Sequence, residues 1–318
     1  MTRIEERHEI ALQPDDRRLR GGPGSLVPRG EVRTYYGRPV LKPPVWKKEV
    51  PWYLFTGGLA GASSVLAAAG RLSGRPGLAR AARRVAAGGA LASPALLIAD
   101  LGRPERFANM LRVVRPTSPM NMGAWLLSAY GPSAGAAAAL DALGIAPGVG
   151  RLADASAAVT GSLLTSYTGA LLADTAVPVW HEARRELPFL FAAGAASSAG
   201  AAAAILTRPD EAGAARRLAL AGLVVEQAVM RSMERRLGPL AEPYREGRAG
   251  RWHRAATWLG MAGGVTLAGA WRRRGPAVAG GALLLASALA TRFAVFKAGF
   301  QSADDPEVTV GPQRARLG

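Results

Sequence analysis

The chain has 318 residues, of which 49% are hydrophobic, and carries a formal net charge of +17. Its mean hydropathy of +0.09 is low for a membrane protein, because arginines lie between long apolar segments rich in alanine and glycine. The absence of cysteine excludes a Cys-ligated iron–sulfur cluster, a disulfide and a Cys-based zinc site in this chain. Three histidines, His8, His181 and His253, are too few for a di-haem anchor with four axial ligands, and we expect no haem or metal.

The first segment of the chain, residues 1–49, carries 11 Lys and Arg and lacks the apolar core of a signal peptide. Its Pro, Gly and Arg content predicts an extended basic arm. The high positive charge raises the possibility of nucleic-acid binding, but no basic stretch alternates with aromatics, so we expect none. Basic loops beside apolar segments are typical of the cytoplasmic face of a membrane protein.

Long apolar segments separated by short Pro-, Gly- and Arg-rich connections follow the arm. A helix needs about 20 mostly apolar residues to cross the hydrocarbon core. Residues 278–290 have no charge on any helical face, so lipid or a bundle interior must surround them. We therefore predict an all-α integral membrane protein with eight transmembrane helices, at residues 50–70, 84–100, 122–141, 154–177, 187–206, 214–234, 253–271 and 276–298.

Eight spans place both termini on one membrane face, which we call the terminal face; the opposite surface is the far face. Lys and Arg are more numerous on the terminal face, which predicts that the termini are cytoplasmic in a multi-pass cell-membrane protein. The loops alone are nearly balanced, so the N-terminal arm and the C-terminal tail, residues 299–318, decide this orientation.

Polar side chains inside spans are expensive in lipid, and each is a functional hypothesis by default. In the first half of the chain they gather near the terminal face, and Tyr167 and Asp174 are seven residues apart, which predicts one helical stripe. Glu226, in the sixth predicted span, is also nearer the terminal face. The residues concerned at span ends and in the fourth span are Trp52, Tyr53, Asp100, Arg103, Tyr167, Thr168 and Asp174.

This convergence suits a quinone site. A quinone headgroup needs hydrogen-bond donors such as a Tyr hydroxyl, and a carboxylate can exchange its protons. Structural roles are the alternatives: an Asp100–Arg103 ion pair, interfacial positions for Trp52 and Tyr53, a helix–helix hydrogen bond for Tyr167, and an Arg or Gln partner for Glu226.

Several short motifs carry a family resemblance over about residues 50 to 200. They are Tyr53-Leu54-Phe55, Gly57-Gly58-Leu59-Ala60-Gly61, Leu101-Gly102-Arg103-Pro104-Glu105-Arg106-Phe107, Ser118-Pro119-Met120, Gly123-Ala124-Trp125, Tyr167-Thr168-Gly169, Leu171-Leu172, Pro178, Trp180 and Leu187-Pro188-Phe189-Leu190-Phe191. In order and spacing this pattern resembles the NrfD family, the polysulfide-reductase-type membrane subunit.

The resemblance implies two four-helix bundles, which we place at residues 50–177, with the quinone site, and 187–298. It implies no metal, haem or iron–sulfur cluster in this subunit, and a menaquinone or ubiquinone site drawn from the start of the first helix and a fourth-helix Tyr. Those positions correspond to the Val50–Tyr53 region and Tyr167, although the polysulfide reductase subunit has Asn and His where this chain has Val50 and Tyr53. We expect Trp52, Tyr53, Asp100, Arg103, Tyr167 and Thr168 to bind the quinone, with Asp174 and Glu226 exchanging protons.

The resemblance also implies partners. They are a ferredoxin-like subunit with four iron–sulfur clusters and, in many relatives, a molybdopterin catalytic subunit, so this chain is not expected to be catalytic alone. A cytoplasmic terminal face would place the partners in the cytoplasm, around a chain otherwise in contact with membrane lipid.

Three rival interpretations stay open. The first is a proton-translocating module that uses Glu226 and Arg292. The second is a secondary transporter, which predicts an inverted repeat that we do not find in the sequence. The third is a structural anchor with a degenerate quinone pocket.

Overall fold

The computed structural model describes residues 41, 44, 46–101, 103, 105–270 and 273–305. Most of the expected basic arm and the end of the C-terminal tail lie outside these residues. Within them every regular element is an α-helix or a short 3-10 turn, the latter at Ala183–Arg185 and Gly238–Ala241. The α-helices are α1 (Glu49–Leu72), α2 (Pro76–Leu101), α3 (Glu105–Met110), α4 (Pro119–Leu143), α5 (Pro147–Ala173), α6 (Pro178–Glu182), α7 (Leu187–Leu206), α8 (Gly213–Leu237), α9 (Glu242–Arg245), α10 (Gly247–Ala268) and α11 (Arg274–Asp304).

The prediction of an all-α chain is confirmed for the described residues. Their long helices, from the 20 residues of α7 to the 31 of α11, coincide with the predicted spans: α1, α2, α4, α5, α7, α8, α10 and α11. Several ends differ from the prediction: α2, α5 and α10 begin earlier, at Pro76, Pro147 and Gly247, while α5 stops at Ala173 and α11 continues to Asp304. By length and composition alone, three of the described helices are apolar enough to cross a membrane: α1, α7 and α11.

Helix ends follow ordinary capping chemistry in the connection around α4. The Ser118 side chain accepts a hydrogen bond from the backbone N–H of Asn121, and Pro119 occupies the first turn, where no intrahelical N–H bond is needed. At the other end Gly144 takes the left-handed conformation, with a φ of 65°, and stops the helix. α5 then begins at Pro147, so α4 and α5 form an antiparallel pair.

The first four long helices pack against one another, with the closest pairings between α1 and α2, α1 and α5, and α4 and α5. In the second half, α7 pairs with α8 and α11, and α10 with α11. Helices α1 and α5 also contact α7. The crossing of α1 and α5 depends on two glycines, since a Cβ added to Gly61 would lie 2.3 Å from the carbonyl oxygen of Gly161.

Aromatic side chains hold the start of α1 at the terminal face. Trp46, just before α1, stacks on Trp180 of α6 with ring centroids 5.6 Å apart. Trp180 is completely buried and donates an indole hydrogen bond of 2.7 Å to the carbonyl of Val295 in α11. The segment entering α1 is therefore fixed against both halves of the described fold.

Candidate functional site

Two contacts between the long helices show which residues share a depth in the fold. Ser64 of α1 and Tyr130 of α4 are hydrogen-bonded through their hydroxyls at 3.0 Å, and eleven residues earlier on each helix come Tyr53 and Pro119. From the Gly61–Gly161 contact, seven residues along the antiparallel α1 and α5 lead to Leu54 and Thr168. Tyr53, Pro119 and Thr168 therefore lie near one level, close to the terminal face.

Tyr167 joins α5 to α4 at this level. Its hydroxyl donates a hydrogen bond of 2.8 Å to the backbone carbonyl of Pro119. The ring lies over Gly123, where an added Cβ would be only 1.9 Å from the Tyr167 hydroxyl oxygen. The helix–helix hydrogen bond considered as its structural role is thus present, and Gly123 provides the space for the phenol.

Tyr53 and Thr168 are enclosed by the helices around them. Tyr53 is 3% exposed, and its hydroxyl has no side-chain hydrogen-bond partner among the described residues. Thr168 is completely buried, and its hydroxyl oxygen likewise has no hydrogen-bond partner in the described part of the chain. Tyr53 and the partly buried Tyr167 belong to the same packed cluster, and Thr168 lies next to Tyr167 on α5, near the same level.

Glu49, which the sequence interpretation passed over in favour of Val50, also belongs to this region. It lies in the first turn of α1, four residues before Tyr53, and therefore on the same helical face. Its Oε2 atom is buried without a hydrogen-bond partner from the described residues. A carboxylate at a helix N-terminus is common for electrostatic reasons, so the sequence alone carries no sign of this burial.

The other residues predicted to bind the cofactor surround this region at the terminal face. The Asp100 carboxylate accepts a hydrogen bond of 3.0 Å from the backbone N–H of Lys47 and so ties the end of α2 to the start of α1. Arg103 is exposed beyond that helix end. Trp52 is 44% exposed and packs edge-on against Phe293 of α11 at 6.1 Å, on the outer side of α1.

Asp174 lies at the end of α5, seven residues after Tyr167, and not inside the helix as the predicted span 154–177 had it. α5 ends at Ala173, and Asp174 is its C-cap residue with backbone angles of −86° and 52°. Its side chain is exposed at the terminal face. The carboxylate is therefore positioned to exchange protons with water rather than to sit beside the phenol.

Glu226 lies in a separate buried pair within the second half of the fold. Glu226 and Arg292 are each 1% exposed, and Oε1 and Nη1 are 3.8 Å apart, which is an ion-pair distance but longer than a hydrogen bond. The guanidinium donates a 2.8 Å hydrogen bond to the Phe191 carbonyl and lies 4.0 Å above the Phe191 ring centroid. A Cβ on Gly194 would be 2.5 Å from Glu226, so this glycine makes room for the pair.

The pair is close to α1 as well. A Cβ added to Gly58 would lie 4.0 Å from Nη2 of Arg292, and Gly58 is five residues further along α1 than Tyr53. Oε1 of Glu226 and both Nε and Nη1 of Arg292 have no hydrogen-bond partner among the described residues. The structure therefore places Tyr53, Tyr167 and Thr168 near one level, with Glu49 one helical turn before Tyr53, and pairs Glu226 with Arg292 beside α7.

Comparison with known proteins identifies the family. Residues 40–230, more than half of the chain, match the family described as Polysulphide reductase, NrfD. Comparison with curated proteins gives no match. The matched range includes α1 to α7 and most of α8, and so contains every residue predicted for the site. The chain belongs to the NrfD family, whose members are membrane subunits that react with quinones in oxidoreductase complexes.

Proposed function

We propose that this chain exchanges electrons between the membrane quinone pool and an iron–sulfur partner subunit that docks at the terminal face. In this proposal eight helices cross the membrane in two groups of four: α1, α2, α4 and α5, then α7, α8, α10 and α11. The pairings within each half support this grouping. The chain anchors the complex and handles the quinone, while a partner, such as a molybdopterin subunit, selects the substrate.

The convergence of unpartnered polar atoms near the start of α1 carries the proposal. Thr168 Oγ1 and Glu49 Oε2 are buried without hydrogen-bond partners among the described residues, and within the same residues no hydrogen bond is recorded for the hydroxyl of the buried Tyr53. Leaving a buried polar group unpaired costs about 1–3 kcal/mol, and a ligand that supplies partners recovers it. A quinone headgroup has a carbonyl at each end of a flat ring, so it accepts from the hydroxyls of Tyr53 and Thr168, while the Glu49 carboxylate accepts from a hydroxyl of the reduced form.

The roles follow from the positions. A bound quinone supplies two-electron, two-proton chemistry between its oxidised and reduced forms. Tyr53 donates a hydrogen bond toward a carbonyl, and Tyr167, held by Pro119, positions the second side of the ring. Glu49, whose Oε2 atom is buried in the first turn of α1, exchanges protons with the quinone. The exposed Asp174 then exchanges those protons with water.

Tyr167→Phe tests the quinone site. We expect quinol-analogue oxidation by the purified complex to fall about tenfold, because the phenol loses its hydrogen bond to Pro119 and its polar contact with the ring. Tyr130→Phe is the matched control, since this buried tyrosine bonds Ser64 at a different level of the fold. Normal turnover in Tyr167→Phe, with the complex intact by co-purification, would contradict the assignment.

Thiol labelling tests on which side of the membrane the terminal face lies, and with it the docked partner. The chain is suited to this method because it contains no cysteine. Single replacements Arg103→Cys on the terminal face and Arg75→Cys on the far face are exposed to a membrane-impermeant maleimide in spheroplasts. A cytoplasmic terminal face predicts that only the second is labelled from outside. Labelling of the first alone would place the partners on the outer surface.

A second candidate function, proton translocation, is favoured by the Glu226–Arg292 pair. Ionisable groups buried in a membrane domain commonly mark ion pathways, and this pair has three polar atoms without described hydrogen bonds. In proteoliposomes, Glu226→Gln should lower the charge moved per electron while quinone turnover continues. Glu234→Gln, on the same helix beside His253, is the control. Equal charge movement in both variants would exclude this role for Glu226.

A further inference from the structure

An arginine-rich pocket lies at the far face, away from the quinone-site residues. Two adjoining cavities, of about 200 and 390 Å³, open between the end of α1, the start of α2 and the end of α4. Both cavities share Arg80, Arg83 and Asp141 in their walls. Arg84 lines the first cavity, and Arg71 and Arg75 line the second; we call this set the arginine pocket.

The nearby carboxylates are occupied by two of these arginines. Arg83 is buried and forms a bidentate salt bridge with Asp154, in which Nε donates to Oδ1 at 3.0 Å and Nη2 donates to Oδ2 at 2.7 Å. Its third nitrogen, Nη1, lies 2.7 Å from Oδ1 of Asp141. Arg71 lies 3.1 Å from the same Asp154. Asp154 itself is only 4% exposed, so this network fixes α1, α2, α4 and α5 to one another.

The remaining cations have no such partner. Arg75, Arg80 and Arg84 are exposed, and no carboxylate of the described residues forms an ion pair with them. One further acid is near, since the Glu211 carboxylate lies against Gly77 at the start of α2. The arginine pocket therefore has five arginines and three nearby acids. Its excess positive charge lies around the start of α2, on Arg75, Arg80 and Arg84.

The geometry suits a tetrahedral anion. Arg80, Arg83 and Arg84 are three and four residues apart, so their guanidinium groups share one face of α2. Guanidinium groups donate paired hydrogen bonds to the oxygens of a phosphate. The first turn of α2 contains no acidic residue of its own, so the nearby carboxylates Glu211 and Asp141, from other segments, are outnumbered by the arginines.

The surroundings of the pocket are apolar. Leu72, next to Arg71, is 85% exposed, and Leu143, close to Asp141, is 68% exposed. In a membrane protein such side chains contact acyl chains, with basic residues at the headgroup level. We propose that the arginine pocket binds the phosphate of an anionic phospholipid, whose acyl chains lie against these leucines. This proposal is independent of quinone chemistry.

The test uses the full chain purified in a neutral detergent and titrated with dioleoyl phosphatidylglycerol or dioleoyl phosphatidylcholine, with bound lipid counted by native mass spectrometry. We expect phosphatidylglycerol to bind preferentially, because the excess of arginines over carboxylates in the pocket favours a lipid with net negative charge over the zwitterionic phosphatidylcholine. Arg80→Gln with Arg84→Gln should lower its affinity roughly fivefold for each charge removed. Arg151→Gln with Arg217→Gln removes two exposed far-face charges outside the pocket and should leave the affinity unchanged.

Three results would overturn the proposal. They are equal binding of the two lipids, equal losses in the two double variants, and displacement of phosphatidylglycerol by millimolar inorganic phosphate, which would indicate a site for a free anion. If the pocket double variant fails to fold, Arg75→Gln replaces it, since this exposed residue precedes α2 and enters no ion pair within the described chain. Unchanged binding in Arg75→Gln would then count against the proposal.

Discussion

The contact between Gly123 and Tyr167 allows the proposed quinone site to be perturbed without removing any polar group. In Gly123→Ala the new methyl carbon would lie 1.9 Å from the Tyr167 hydroxyl oxygen and 2.1 Å from Cζ of the ring. Ordinary contact between such atoms is about 3.5 Å, so the phenol must move by about 1.5 Å. That movement exceeds what its 2.8 Å hydrogen bond to the Pro119 carbonyl can tolerate.

Loss of this hydrogen bond costs about 1 kcal/mol of stability, and crowding in a packed region adds about 1–3 kcal/mol. Misplacement of a positioning group by about 1 Å can lower a rate by about 100-fold. We therefore expect Gly123→Ala to lower the melting temperature in detergent. We also expect it to lower the rate of quinol-analogue oxidation by at least tenfold. The purified complex is assayed with a dye acceptor, and co-purification of its subunits checks assembly.

The matched control is Gly135→Ala on the same helix. A Cβ at this position meets nothing within 4 Å, so the change should leave turnover unaltered and stabilise α4 slightly through helix propensity. If Gly123→Ala keeps normal turnover and melting temperature, the placement of Tyr167 over Gly123, and the role assigned to that tyrosine, would be refuted.

Three further predictions concern buried charges and close helix contact. Glu226→Leu and Arg292→Met should each destabilise the protein by about 3 kcal/mol, and the double variant by less than either, because each single change leaves a buried charge unpaired. Additive losses in detergent melting would disprove the coupling. Asp154→Asn should cost about 3 kcal/mol by removing the partner of buried Arg83, whereas Asp210→Asn, in an exposed pair with Arg208, should change stability by no more than about 0.5 kcal/mol. Gly61→Ala should push α1 from α5 and lower the melting temperature, while Gly88→Ala, with open space at its Cβ, should not; equal melting would argue against the α1–α5 crossing.

Apolar runs such as 278–290, which cannot be stable in water on any face, located the long helices from the sequence, although by length and composition alone only α1, α7 and α11 of the described helices are apolar enough to cross a membrane. The family was also readable, since its motifs lie at span ends where chain order preserves their spacing. Side-chain partners were harder to predict. The end of α5 at Ala173 depends on the turn leading to α6, so Asp174 looked like part of the helix. The burial of the Glu49 Oε2 atom and the approach of Arg292 to Glu226 depend on helices that are far apart in the sequence. The pattern of apolar residues along one helix therefore does not predict them.

The Glu226–Arg292 pair has a consequence for how the protein is made. In the proposed eight-helix arrangement Glu226 enters the membrane with α8, but its counter-charge belongs to α11 and is synthesised 66 residues later. On that proposal Glu226 lacks its Arg292 partner until α11 has been synthesised, so α8 is not stably inserted before then. Insertion of the last helix thus completes the second half of the domain, and nascent chains cut short before α11 should be recognised and degraded.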